Sequence, residues 1–236
     1  MSGRSFLSIV TPTYNRSKCF AAALDCYLAQ TYPLDRREWL ILDDGSEPLD
    51  EILAVAPPEA QIRYIKVDEK MTIGAKRNRL NAEAAANSII VCWDDDDYYP
   101  PERLAHIAQK FTTQPSIALA GSTIMYIYFQ DDGSIWQTGP FSPTHATAGT
   151  LAYKKKYAVT HSYDESVRFG EETSFLENYK NPMIQLDPRK SILCIAHAAN
   201  TYSKSGMRRP PNKLTSFKLR DFIRSAADRA KYVAQT

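Results

Sequence analysis

The apolar run Ile89-Ile90-Val91-Cys92-Trp93 drives directly into Asp94-Asp95-Asp96-Asp97, and two tyrosines later the chain meets Pro100-Pro101. Four adjacent carboxylates repel one another and resist burial unless a cation compensates them. The apolar run has the length of a buried strand, so the acids belong at its C-terminal end, the edge on which open α/β sheets place their ligands. Two readings follow. In one, the cluster is a divalent-metal site that holds phosphate oxygens. In the other, it is a solvated acidic turn before a helix with Pro101 at or near its first position. The cluster alone does not separate them.

The sequence around it alternates in period. Buried strands are expected at 6–10, 39–42 and 88–93, with an apolar/polar alternating strand at 62–67. Helices are expected at 17–30, with Ser17 as N-cap, at about 49–55, at 71–86 and at 102–111. This β-α-β-α order argues for a mostly parallel sheet covered on both faces. The pattern then changes. A long β-prone run covers 117–129, and Asp132-Gly133 is a hairpin signal before Ile135-Trp136. A short strand or helix start is expected at 149–153, a helix at 171–179, and short strands at 183–186 and 192–196. A basic, proline-bearing loop at 207–213 precedes an amphipathic helix at about 216–233.

With 236 residues, the chain is long enough for one sizeable core. A net charge of +2 is too small to argue for nucleic acid. Cys19, Cys26, Cys92 and Cys194 include no C-x-x-C pair and read as reduced, buried thiols. No apolar stretch nears the roughly 20 residues that cross a bilayer, and the start lacks a signal-peptide core. The expectation is a soluble, cytoplasmic protein, with peripheral membrane docking where an acceptor is lipid-linked.

A second acidic pair, Asp43-Asp44, follows the second strand, and parallel strands bring it to the same edge as residues 94–97. The loop Thr11-Pro12-Thr13-Tyr14-Asn15-Arg16 reaches that edge too, and Lys76-Arg77 lie at a third strand-to-helix junction. This convergence suggests a crevice for a nucleotide and a metal. The first strand is not followed by G-x-G-x-x-G, which disfavours a dinucleotide-dependent dehydrogenase.

In combination, the 11–16 loop, Asp43-Asp44-Gly45-Ser46, Gly74-Ala75-Lys76-Arg77-Asn78, the 93–101 stretch and the segment Tyr163-Asp164-Glu165-Ser166-Val167-Arg168-Phe169-Gly170-Glu171-Glu172-Thr173 resemble the inverting family 2 glycosyltransferases of the GT-A fold. The resemblance spans roughly residues 5 to 205. It implies a single α/β, Rossmann-like GT-A domain over 1–236. Its central sheet would be mostly parallel with helices on both faces, with a smaller mixed β region in the second half. The nucleotide-binding half would be 1–115 and the acceptor-binding half 116–205, followed by the basic loop and C-terminal helix at 206–236.

The implied activity is metal-dependent transfer of a hexose from a UDP-sugar to a hydroxyl of a saccharide acceptor. Pro12, Thr13, Tyr14 and Asn15 would hold base and ribose. Asp43 would accept from the base ring N–H, with Asp44 supporting that loop, Gly74 allowing close approach and Lys76 near the base or phosphates. The four acids would be the DxD motif, with Asp94 first, Asp95 in the variable slot, Asp96 on Mn²⁺ or Mg²⁺, and Asp97 behind. That registration is open by one residue. Asp94 and Asp96 are expected to face the donor, and Asp95 and Asp97 to support the turn.

The resemblance places the base at Glu172 or Glu171, a choice left open, since the family often has Asp there. It implies His197 as a further metal or diphosphate ligand; on its own that residue reads equally as a satisfied histidine at a strand end. Gly149 and Thr150 resemble an acceptor-side turn, and Trp136 and Tyr153 are candidates to stack on a sugar. Arg208, Arg209 and Lys213 read either as a lid over the diphosphate or as a solvated loop. Lys154-Lys155-Lys156 reads as a solvated charge run. The competing functional class is a non-catalytic nucleotide-sugar or carbohydrate-binding domain on the same scaffold.

Overall fold

The computed structural model describes residues 4–167 and 169–233. Arg168, part of the 163–173 segment, lies outside the described residues. The first half holds strands β1 (Leu7–Thr13), β2 (Arg37–Asp43), β3 (Ile62–Lys66) and β4 (Ile89–Cys92). Between and after them come helices α1 (Ser17–Leu28), α2 (Asp50–Leu53), α3 (Ile73–Glu83) and α4 (Arg103–Thr113). The second half supplies β5 (Leu119–Gly121), β6 (Met125–Phe129), β7 (Ile135–Thr138), β8 (Ala152–Lys154), α5 (Lys155–Thr160) and α6 (Glu172–Phe175). β9 (Met183–Gln185), β10 (Leu193–Ala196), β11 (Lys213–Leu214) and α7 (Ala226–Val233) follow.

The strands form a seven-stranded sheet ordered β3-β2-β1-β4-β8-β5-β9 and a four-stranded sheet ordered β10-β6-β7-β11. In the large sheet only β8 runs antiparallel to its neighbours. β1, β2 and β4 are buried along their length because alternate side chains enter two separate cores. On one face Ile9, Trp39, Ile41 and Val91 pack under α1, where Phe20 and Tyr27 lie over Trp39 at 5.5 and 4.8 Å. On the other, Val10, Leu40, Ile90 and Cys92 meet Leu80 of α3, and Tyr163 stacks on Phe175 at 4.2 Å.

Several local expectations are revised. The 117–129 run is divided between two sheets, since β5 and β6 part at Ser122 to Ile124. The 171–179 helix is a single turn, because Glu177, Asn178 and Tyr179 all take positive φ. Ser17 is the first residue of α1 and not its cap; its hydroxyl donates to Glu47. The last helix begins only at Ala226, and Phe217 and Phe222 pack on the core from outside it. Of the lysine run, Lys156 is exposed as expected, but the other two are engaged. Lys154 donates to the carbonyl of Pro115, and Lys155 to those of Asn81 and Ala82, which caps the last turn of α3.

Candidate active site

The parallel register sets the site. Thr13 lies opposite Asp43, and Val10 opposite Cys92, so the ends of β1, β2 and β4 open onto one edge. A cavity of about 640 Å³ lies there, lined by Pro12, Thr13, Tyr14, Asn15, Lys76 and Arg77. Asp94, Asp95, Asp96 and Glu171 line it as well.

At the β1 end, Asn15 takes the left-handed backbone that Asn tolerates better than most residues (φ 52°). Its Oδ1 accepts from the Ser46 amide at 2.7 Å and the Glu47 amide at 3.2 Å, fastening the 12–16 loop to the turn after β2. Asp43 and Asp44 are buried behind this wall and do not line the cavity. Asp43 Oδ1 accepts from the Gly45 amide and Oδ2 from the Tyr64 hydroxyl, at 2.8 and 2.7 Å. Both carboxylate oxygens therefore have protein partners where the sequence led us to expect one open to a base. Asp44 accepts from Lys76 Nζ at 2.5 Å and the Met71 amide at 2.7 Å. Lys76 also donates to the Thr13 carbonyl at 2.9 Å, so it ties three segments together. Gly74 is also not on the cavity: a Cβ there would stand 2.3 Å from the Asp164 carbonyl, so the close neighbour is the chain itself.

The acidic turn divides three to one. Asp94, Asp95 and Asp96 face the cavity; only Asp97 points back, accepting from the Ile195 amide of β10 at 2.7 Å. Burial and then the Asp96 charge raise the pKa of Asp95 and Asp97. Burial also raises Asp94, against the opposing charge of Arg77. Burial acts on Asp96 as well, but the hydrogen bond with His197 and the charge of Lys204 outweigh it, and Asp96 stays below the usual range. His197 Nε2 and Asn200 Nδ2 each stand 3.1 Å from Asp96 Oδ2. Arg16 lies 3.9 Å from Asp95 and 4.0 Å from Asp96 while donating to the Ala199 carbonyl and Thr201 hydroxyl.

Behind the turn, Arg103 is fully buried and donates to the carbonyls of Cys92, Gly149 and Ser191. Gly149 is pressed against the turn: a Cβ would meet Asp94 Oδ2 at 2.7 Å. Thr150 is buried, donating to the Thr147 carbonyl and accepting from the Ser122 amide. Glu171 accepts from Arg77 Nε at 2.9 Å. Glu172, half-buried beside it, forms no ion pair among the described residues, and burial and then the Glu171 charge raise its pKa, against a smaller opposing effect of Arg77.

The remaining expected residues lie elsewhere. Tyr153 has no exposed surface and donates to Asn81, so it is closed to a sugar. Trp136 sits in β7 of the smaller sheet, off the cavity. Arg208 is held by Asp131 at 2.7 Å and Asp132 at 3.0 Å, and neither it, the exposed Arg209 nor Lys213 lines the cavity. Among the described residues no three His, Cys, Asp or Glu side chains converge closely enough to hold a metal ion by themselves.

Residues 8–182 match the family model described as Glycosyl transferase family 2. The chain belongs to glycosyl transferase family 2. It is 32% identical over 107 residues to an uncharacterized glycosyltransferase, YwdF, of Bacillus subtilis, covering 45% of this chain and 38% of that protein. An uncharacterized glycosyltransferase of Rickettsia felis is 24% identical over 91% of this chain and 37% of its own length. The chain thus spans less than two-fifths of both curated relatives. Its fold is that of Staphylococcus aureus TarS (TM-score 0.62, 15% identity, 80% of this chain and 36% of the other). It is also that of a Pyrobaculum calidifontis mannosyltransferase solved with GDP-Man and Mn²⁺ (TM-score 0.66, 15% identity, 84% of this chain and 59% of the other). The GT-A architecture implied by the sequence is therefore the one observed.

Within this family 2 site, the sequence did not single out Arg16, Lys204, Phe169 or Tyr202, all of which line the cavity. Arg16 carried a signal, as the last residue of the 11–16 loop. Phe169 carried one too, inside the 163–173 segment, whereas Tyr202 and Lys204 sit in an irregular segment with no periodicity to mark them.

Proposed function

We propose that the chain is an inverting, metal-dependent transferase that moves a hexose from a UDP-sugar to a hydroxyl of a saccharide acceptor. The observation that carries the reading is the meeting of three carboxylates, a base-candidate segment and a nucleoside-sized wall on one cavity. Against a non-catalytic binding domain stands Glu172, an acid next to the cavity-lining Glu171 that pairs with no cation among the described residues and whose pKa burial raises. The donor set suits a hard cation: crowded, partly buried carboxylates with an imidazole alongside. Asp94, Asp96 and His197 do not converge on a metal unaided, so they would hold Mn²⁺ or Mg²⁺ only together with oxygens of the donor, and the ion when bound supplies positive charge against the leaving diphosphate.

The remaining work falls to the chain. Lys76 and Asn15 fix the two walls of the nucleoside subsite relative to each other. Arg77 clamps Glu171, which orients the segment that carries Glu172. Glu172 takes the proton of the acceptor hydroxyl as it attacks the sugar from the face opposite the diphosphate. Such in-line displacement inverts the anomeric centre. In support of the donor, a 349-residue TarS fragment, 15% identical to this chain and of the same fold, has been solved with UDP-GlcNAc. The test is a thermal-shift series: UDP with Mn²⁺ is expected to raise the melting temperature. A protein that responds to another nucleoside diphosphate and not to UDP would sink the donor assignment.

A further inference from the structure

We propose that Phe169 and Tyr202 form the platform on which a sugar ring of the acceptor saccharide stacks. The inference rests on the transferase reading above and names the acceptor subsite of that same cavity. Most large apolar side chains of this chain are buried, yet Phe169 and Tyr202 are 57% and 56% exposed. They come from segments more than thirty residues apart and meet edge to face, with ring centroids 5.7 Å apart at 64°. Both line the cavity of the acidic turn, together with the charged Arg16, Lys70 and Lys204. An exposed apolar pair among charged residues marks a binding surface. Pyranose rings suit it, because they offer an apolar C–H face to an aromatic face and hydroxyls to the polar groups around it.

The position selects the acceptor over the donor. The 12–16 loop, assigned above to the nucleoside, has its own exposed ring, Tyr14, with Lys70 Nζ 3.9 Å from its centroid. Phe169 lies three residues before Glu172, at most about 11 Å along the backbone. The hydroxyl that Glu172 deprotonates must come within hydrogen-bond reach of it. Glu172 does not itself line the cavity, but Glu171 beside it does, together with Phe169, so the ring and the segment bearing the base candidate meet the same space. The sequence pointed to Trp136 and Tyr153 for stacking, and neither is on the cavity.

The test pairs two readouts on the full chain: the melting shift with UDP and Mn²⁺, and binding to a glycan array in their presence. The tightest array saccharide is then titrated in solution. Phe169→Ala and Tyr202→Ala are each expected to weaken that saccharide about tenfold. Tyr202→Phe should retain it, and the UDP shift should be unchanged in all three. Both side chains are exposed, so these substitutions are expected to leave folding intact. Unchanged saccharide binding in both alanine variants overturns the proposal. So does a loss of the UDP shift in those variants, which would make the pair a cover for the donor. A wild-type protein that takes up UDP but binds no array saccharide also counts against it. A wild type without any UDP response instead defeats the transferase reading itself, and the platform with it.

Discussion

Arg77 Nε donates to Glu171 at 2.9 Å while Arg77 Nη2 stands 3.6 Å from Asp94, so one buried cation serves both the candidate catalytic segment and the acidic turn. This pairing separates two acids that are adjacent in the chain. Glu171 is committed to Arg77, and on the proposed mechanism it is Glu172 that exchanges a proton. Glu172→Gln is expected to lower turnover about 10²- to 10⁴-fold while the UDP melting shift survives. Glu171→Gln should instead leave Arg77 with only the longer contact to Asp94 and destabilise the fold by about 1–3 kcal/mol, read by urea denaturation. The reverse pattern would exchange the two roles.

The raised pKa of Glu172 sets a pH dependence for both activity and stability. The base must be ionised, so the acid limb of kcat/KM is expected above the ordinary carboxylate range. For stability the sign is opposite. A carboxyl whose folded pKa exceeds its unfolded value favours the fold most below the unfolded value, and that contribution is lost as pH rises through the folded one. Burial and the Glu171 charge are the causes. Glu172→Gln is therefore expected to melt higher than wild type at neutral pH, with the gap closing as pH falls through the raised pKa. Melting curves from pH 4 to 8 check this.

Asp96 and Asp97 are neighbours with opposite orientations, and metal dependence should follow orientation. Chelation is expected to abolish the response to UDP, and added Mn²⁺ to restore it. Asp96→Ala should lose the Mn²⁺ response. Asp97→Asn, which keeps an acceptor for the Ile195 amide, should retain it. Titrating Mn²⁺ against melting temperature distinguishes the two.

Arg103 holds three carbonyls from three parts of the chain and is fully buried. Arg103→Met strands those oxygens without solvent. The expected loss is about 3 kcal/mol or more, since each buried group left unsatisfied costs about 1–3 kcal/mol. Arg103→Lys should recover only part of it, because one ammonium does not reproduce the guanidinium fork. Equilibrium unfolding measures both.

How much of this was legible in the sequence depends on the range of the forces involved. Strand runs such as 88–93 are local, because burial on both faces demands a continuous apolar segment, and they were read nearly to the residue. The convergence of Asp43-Asp44 with the acidic turn also followed, since parallel strands bring their ends to one edge. What the sequence hid is the direction a side chain takes within a turn. Asp95 faces the cavity because Asp97 is pulled back by β10, a partner about a hundred residues away. Asp43 spends both oxygens on Gly45 and Tyr64, which no spacing reveals. Lys155 looked like one charge in a solvated run, but it closes the end of a helix whose carbonyls lie some seventy residues earlier.

The attachment of the acidic turn to β10 bears on how the protein is made. Tyr98 and Leu193 exchange backbone hydrogen bonds at 3.1 and 2.9 Å, and β4 takes β8 as its second neighbour. On a ribosome, the strand that bears the aspartates emerges long before the residues that lock it. Until about residue 154 is synthesised, that strand has one open flank, and until about residue 196 the acidic turn lacks its β10 contacts. The site is therefore finished last, and a nascent or truncated chain ending near residue 115 presents an unpaired β4 edge, which a chaperone or another copy could occupy.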